Sequence, residues 1–271
     1  MRSYKRLVPP PNTQSSKITF IDLIRRLKKE PIDYEEFLKL LEKCTDKSFE
    51  DSQLEFELLL INGFPLDIID DFVYLKTNNT KIEEQTFCIV DIETNGGTPK
   101  KGHQIIELGA VKYRNGEIID KFNSLVFAKD IPIFVQEVTN ISVDMLKDAP
   151  RLDKVLQEFK LFLADDVFVA HDIKFDYNFI SDSFEIYNLG KLLNRKICTI
   201  DLAKRTIKSE KYGLSTLKEL LNIDVNNHHR AYFDALTTSK IFEKSILNID
   251  RNSIKTVEDL ISFSKSNNIL K

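Results

Sequence analysis

A strand that ends in two carboxylates sets strict terms for whatever folds around it, and Phe87-Cys88-Ile89-Val90-Asp91-Ile92-Glu93 reads as one. Its apolar and β-branched residues favour extended backbone. A period of two then places Asp91 and Glu93 on the same face. Like charges at that spacing cost several kcal/mol in repulsion or desolvation, so the pair requires a cation, a shared proton or an exposed position. Taken alone, the pattern leaves all three open, and a solvated pair is the commonest outcome.

The segments after it predict a mixed sheet. Ile105 to Tyr113 reads as a second strand, Arg114-Asn115-Gly116-Glu117 as a hairpin turn, and residues 118–127 as a third strand. Helices are expected near 151–163, 174–187, 214–221 and 230–247, with a buried strand Val167-Phe168-Val169-Ala170 between the first two. Hairpin strands first and strand–helix alternation later give an α/β fold, a mixed sheet flanked by helices.

Upstream, residues 1–16 read as a polar, Pro-broken flexible tail and residues 17–75 as a small, mainly helical domain. Helices are expected at 18–29, after an N-cap at Asp33, and at 49–62, followed by a helical turn and a strand at Phe72–Leu75. That order is compatible with a winged helix, although Glu50, Asp51, Glu55 and Glu57 on the third helix fit a docking or packing module better than a DNA reader. Gln53-Leu54-Glu55-Phe56 loosely resembles a sliding-clamp docking motif. Residues 76–85 are polar and aperiodic, the expected linker to a domain at 86–247. In the extension 248–271, Ile254, Val257, Leu260, Ile261 and Phe263 suit an amphipathic helix that packs on the domain or docks a partner.

Composition narrows the classes of function. With 39 Lys and Arg against 42 Asp and Glu in 271 residues, the chain is not built to coat nucleic acid by bulk charge. An enzyme that meets phosphates through metal ions remains open. Cys44, Cys88 and Cys198 form no CxxC pair, and no apolar run is long enough to span a bilayer, so a soluble cytoplasmic protein without membrane contact is expected.

Two further motifs carry ionisable groups at element ends. His171-Asp172-Ile173-Lys174-Phe175-Asp176 follows the buried strand and opens a helix, where either aspartate would ordinarily be a cap. In His228-His229-Arg230-Ala231-Tyr232-Phe233-Asp234, His229 and Asp234 stand five apart. At about 100° per residue they share a side only if His229 precedes the helix or lies in its first turn.

In chain order these features read DxE, D, HxxxxD. The pattern resembles the DnaQ-like 3′–5′ exonuclease superfamily, in its DEDDh branch, and within it the proofreading exonucleases (epsilon subunits) of bacterial DNA polymerase III. The similarity covers about residues 85–247 and extends to FCIVDIETNGG, QIIELGAVKY, TNISVDML, VAHDIKFDYNFI, CTIDLAKR, YGLSTLKELLNI and HHRAYFDA. It implies an RNase H-like sheet, with Asp91, Glu93, Asp176 and Asp234 as ligands of two divalent cations. It implies His229 as general base; Tyr232 lies near the place of the tyrosine used in another branch, but the spacing favours His229. Thr94, His171 and Asp172 fall at substrate-binding positions. Departures are Asp172 where the family more often has Asn, Asn95-Gly96-Gly97 after Thr94, and Asn140 where glycine is common.

Hard oxygen ligands select Mg²⁺, with Mn²⁺ as a substitute. The expected reaction is release of nucleoside 5′-monophosphates from single-stranded or frayed 3′ DNA ends, as proofreading for DNA polymerase III. Expected partners are the polymerase III catalytic subunit and, through the Gln53–Phe56 string, a sliding clamp. Two other readings stand beside it: an RNA-trimming, oligoribonuclease-like enzyme, and an inactive structural subunit that binds a polymerase.

Overall fold

Local capping starts the helices of the N-terminal part. In the computed structural model, which describes residues 18–225 and 229–267, Thr19 and Asp22 form a reciprocal capping box at the head of α1 (Phe20–Leu27). After the short strand β1 (Ile32–Asp33), the Asp33 carboxylate accepts the Glu36 N–H at 3.1 Å and opens α2 (Tyr34–Glu42). Asp51 accepts the Gln53 and Leu54 N–H groups ahead of α3 (Ser52–Ile61). The helical turn expected next is absent. In its place β2 (Leu66–Ile69) and β3 (Phe72–Leu75) form a hairpin about Asp70 and Asp71, at φ 50° and 64°. Aspartate tolerates left-handed backbone, so this pair replaces the Asn-Gly that usually announces such a turn. The three strands make a sheet of order β1-β3-β2.

The chain forms two compact units, one of residues up to 57 with 68–74, the other of 58–67 with 75 onward. This division differs from the linear one at 17–75, 76–85 and 86–247. Within the first unit Phe56 packs edge-on against Tyr34 and Phe37, with ring centroids 5.4 and 5.8 Å apart. Glu55 and Phe56 are 1% and 4% exposed, and the Glu55 carboxylate accepts the Ser48 and Phe49 N–H groups. Of the Gln53–Phe56 string, Glu55 and Phe56 are therefore interior, while Gln53 and Leu54 are exposed and the whole string lies within α3.

Residues 76–85 are not a free linker. They open with α4 (Lys76–Asn79), whose buried Thr77 hydroxyl donates to Glu258 at 2.9 Å, and Ile82 and Gln85 are buried as well. Thr77 serves a buried partner, a role that lack of apolar periodicity conceals. The expected tail at 1–16 and the last four residues of the C-terminal extension lie outside the described residues.

The rest of the second unit runs β4 (Phe87–Thr94), β5 (Ile105–Arg114), β6 (Glu117–Leu125), α5 (Ile133–Thr139), α6 (Val143–Leu146), α7 (Leu152–Leu163), β7 (Val167–Ala170), α8 (Ile173–Ile186), β8 (Lys196–Cys198), α9 (Thr199–Thr206), α10 (Leu214–Leu220), α11 (Ala231–Leu247) and α12 (Val257–Ser264). Its sheet has the order β6-β5-β4-β7-β8, with β4 antiparallel to β5 and parallel to β7. This is the expected mixed α/β sheet flanked by helices. Asn115 and Gly116, at φ 48° and 88°, close the β5–β6 hairpin.

Alternation along β4 sorts its side chains between two cores. Cys88, Val90 and Ile92 join Leu156, Phe159, Ile180 and Phe184 on the side of α7 and α8. Phe87 and Ile89 join Phe242 of α11 and Val257, Leu260 and Ile261 of α12 on the other. The C-terminal helix thus packs within the unit. Asp91 and Glu93 continue the odd-numbered series and inherit the α11 side.

Candidate active site

Because β4 turns its odd residues toward α11, a carboxylate in the first turn of that helix meets the end of the strand. Asp91, Glu93 and Asp234 each offer a ligand oxygen, and these atoms lie within 4.8 Å of one another. Gly109 makes the approach possible. It pairs with Asp91 across the sheet, and a Cβ there would stand 2.2 Å from the Tyr232 backbone nitrogen. Only glycine lets the head of α11 lie this close.

Asp176 comes from the opposite side. Asp172, at φ 60° and ψ 56°, occupies the N-cap place of α8 without a side-chain capping bond. Asp176, 4% exposed, is no cap either: its Oδ1 accepts the Ile92 N–H at 3.2 Å. The β4–β7 pairing stops at Ile89 and Val169, so this carboxylate takes up a strand N–H beyond it. Asp176 thereby lies at the strand end that carries Asp91 and Glu93, but outside the group of three whose ligand oxygens converge.

Electrostatics show a crowded group of acids. Burial holds the Asp91 carboxyl well above the ordinary carboxylate range, with Asp176, Asp234, Glu93 and Glu107 adding repulsion. Burial, then Asp234, Glu107 and Asp176, push Glu93 up to about 8, while Arg230 opposes them. Burial raises Asp176 to about 8 despite the N–H bonds it accepts. Neutralising such a set takes protons or a hard cation, and three convergent oxygens fit the cation.

His229 stands just before α11, exposed, at φ 64°, and its N–H donates to Asp234 Oδ2 at 3.0 Å. This is the placement the five-residue spacing demands. Tyr232 packs instead with the apolar cluster beneath α11 and against Phe233. Thr94, at the end of β4, donates its hydroxyl to the Gly96 carbonyl at 2.8 Å. His171, after β7, holds Nδ1 2.9 Å from the Thr199 hydroxyl, and burial lowers its pKa; Asp172 is exposed beside it. These three flank the neighbouring ends of β4 and β7 and are not part of the carboxylate cluster.

Glu107 was missed from sequence. On β5, paired with Glu93 and 1% exposed, it accepts Arg230 Nη2 at 2.7 Å, Arg230 Nε at 3.1 Å and the Ala231 N–H at 2.9 Å. A lone acid inside QIIELGAV was the available signal, since a buried charge needs a partner.

Comparison with known proteins agrees with this geometry. Residues 88–242 match the family described as Exonuclease, of RNase T type. The DNA polymerase III PolC-type of Staphylococcus haemolyticus (strain JCSC1435) is 35% identical over 206 residues, 74% of this chain and 14% of that protein. Its counterpart in Staphylococcus aureus is 37% identical over 192 residues, 69% of this chain and 13% of that protein. The chain spans about one seventh of the length of these relatives. Among solved structures, Exonuclease X in complex with 5′ overhanging duplex DNA superposes with a TM-score of 0.52 at 23% identity, covering 66% of this chain and 99% of that one. The nuclease domain of 3′hExo, a DEDDh family member bound to rAMP, gives 0.52 at 18% identity, covering 60% and 92%. Both likenesses are of fold, an RNase H-like sheet flanked by helices. With its residues 88–242 matched, the chain belongs to the RNase T-type Exonuclease family.

Proposed function

We propose that this chain is a metal-dependent 3′–5′ exonuclease that releases nucleoside 5′-monophosphates from DNA 3′ ends and proofreads for a DNA polymerase III. The convergence of Asp91, Glu93 and Asp234, with His229 at the head of α11, carries the proposal. In this reading Asp91, Glu93 and Asp234 would hold a first Mg²⁺, Asp176 would stand toward a second beside Asp91, and Mn²⁺ would substitute. The cations supply neutralisation of the phosphate and activation of water. The chain's own part is to keep their ligands converged and to place a base. His229, an imidazole on the exposed rim, takes the proton of the attacking water. Thr94, His171 and Asp172 line the approach of the terminal nucleotide.

The similarity to PolC-type polymerases supports DNA as substrate and the polymerase III catalytic subunit as partner. Exposed Glu50, Asp51 and Glu57 around α3 favour a packing or protein-docking role for the first unit over DNA reading. A cytoplasmic location accords with a role in replication.

Digestion of 5′-labelled matched duplex, 3′-mismatched duplex and RNA oligonucleotides in Mg²⁺ tests the role. A mispaired end frays without the few kcal/mol that unpairing costs, so it should be trimmed about tenfold faster or more than a matched end. Equal rates on both duplexes would remove proofreading, and cleavage of RNA alone would make the chain an RNA-trimming enzyme.

A further inference from the structure

His229 lies before the first turn of α11 in left-handed backbone. Hydrogen bonds tie this backbone down: the His229 N–H donates to Asp234, the Arg230 guanidinium to both oxygens of Glu107, and the Ala231 N–H to the same Glu107 carboxylate. Glu107 shares its strand face with Gly109, the position that admits the helix backbone. One residue thus lets the head of α11 reach the sheet, and the other ties it there.

Glu107 is a fifth acid beside the cluster, yet both of its oxygens are engaged by Arg230 and Ala231. That sets it apart from Asp91 and Glu93, whose oxygens converge with that of Asp234. Arg230 in turn is matched by a bidentate carboxylate, the geometry for which a guanidinium is suited and an ammonium is not.

We propose that the Glu107–Arg230 pair is a positioning clamp that holds His229 in place for proton transfer, an inference that rests on the exonuclease reading. The clamp does not touch the reacting atoms. It acts through the backbone of 229–231, tying this segment to a buried side chain on β5.

The test combines two readouts on Glu107→Gln, on the milder Arg230→Lys, and on each in a His229→Ala background. Hydrogen exchange followed by mass spectrometry should show amides of 229–234 exchanging at least about tenfold faster in Glu107→Gln, with β4 and β7 unchanged. Hydrolysis of a 5′-labelled single strand in Mg²⁺ should show kcat down about 10- to 100-fold with KM within about twofold. In the His229→Ala background the same substitutions should cost kcat at least about threefold less than in the wild type, because one of the residues they position is gone and only their effect on Asp234 is left. Equal losses in both backgrounds would overturn the clamp in favour of a general folding role, as would unchanged exchange. A wild-type protein that hydrolyses nothing, while exchange still responds to Glu107→Gln, would overturn the exonuclease reading and reduce Glu107 to a helix anchor.

Discussion

Glu93 shows at the residue scale what the site stores. With its carboxyl pushed up to about 8, first by burial and then by Asp234, Glu107 and Asp176, it keeps at neutral pH a proton that the unfolded chain releases near 4.5. Between those values the folded state binds more protons than the unfolded one, so metal-free stability should fall as pH rises from about 5 to 8. Asp91 and Asp176 shift in the same direction and add to the slope. A divalent cation displaces these protons, so Mg²⁺ should raise Tm more at pH 8 than at pH 6. Thermal unfolding in EDTA and in Mg²⁺ at both values checks this; a metal-free Tm that climbs over the interval would contradict it. Asp91→Asn should abolish the Mg²⁺ effect and stabilise the metal-free protein by about 1 kcal/mol, since one repelling acid is gone. Asp91, Glu93 and Asp234 were legible through the ordered motifs that resemble the exonuclease family; DxE and HxxxxD by themselves left a solvated pair and a cap open. Glu107 was not, because its role depends on a guanidinium 123 positions away.

At the element scale the meeting of β5 with α11 carries most of the geometry. Gly109→Ala would set a methyl 2.2 Å from the Tyr232 nitrogen and 2.3 Å from the Ala231 carbonyl carbon, both backbone atoms. The helix must move, carrying Asp234 and His229 with it. A loss of about 1–3 kcal/mol in urea unfolding is expected, with activity falling further than stability explains. A variant that keeps both would show that the close approach is dispensable. Elements with strong periodic or turn signals were readable: the Asn115-Gly116 hairpin, α7, α8, α11 and the buried β7. β8 has three residues and α9 carries Asp201, Lys204 and Arg205 among few apolar positions, so neither offered a period to read. The Asp70-Asp71 turn escaped for another reason. Two aspartates in left-handed backbone look like a helix start in sequence.

For the molecule as a whole, the family was legible from ordered motifs and the division into units was not. Residues 58–67 and 75–85 join the second unit through side chains such as Asn62, which accepts the Lys160 ammonium at 2.9 Å, and Thr77 on Glu258. Pairings that cross about a hundred residues or more leave no local trace. Among the described residues no helix is long and apolar enough to cross a membrane. The measurement that bears most directly on the whole is digestion of 5′-labelled single-stranded DNA with Mg²⁺, resolving both the shortened strands and the released mononucleotide, for wild type, Asp91→Ala and His229→Ala. The expected result is a ladder that shortens from the 3′ end with release of nucleoside 5′-monophosphate, absent in Asp91→Ala and slowed about a hundredfold or more in His229→Ala. No shortening with Mg²⁺ or Mn²⁺, or unchanged turnover in Asp91→Ala, would contradict a catalytic role for the cluster.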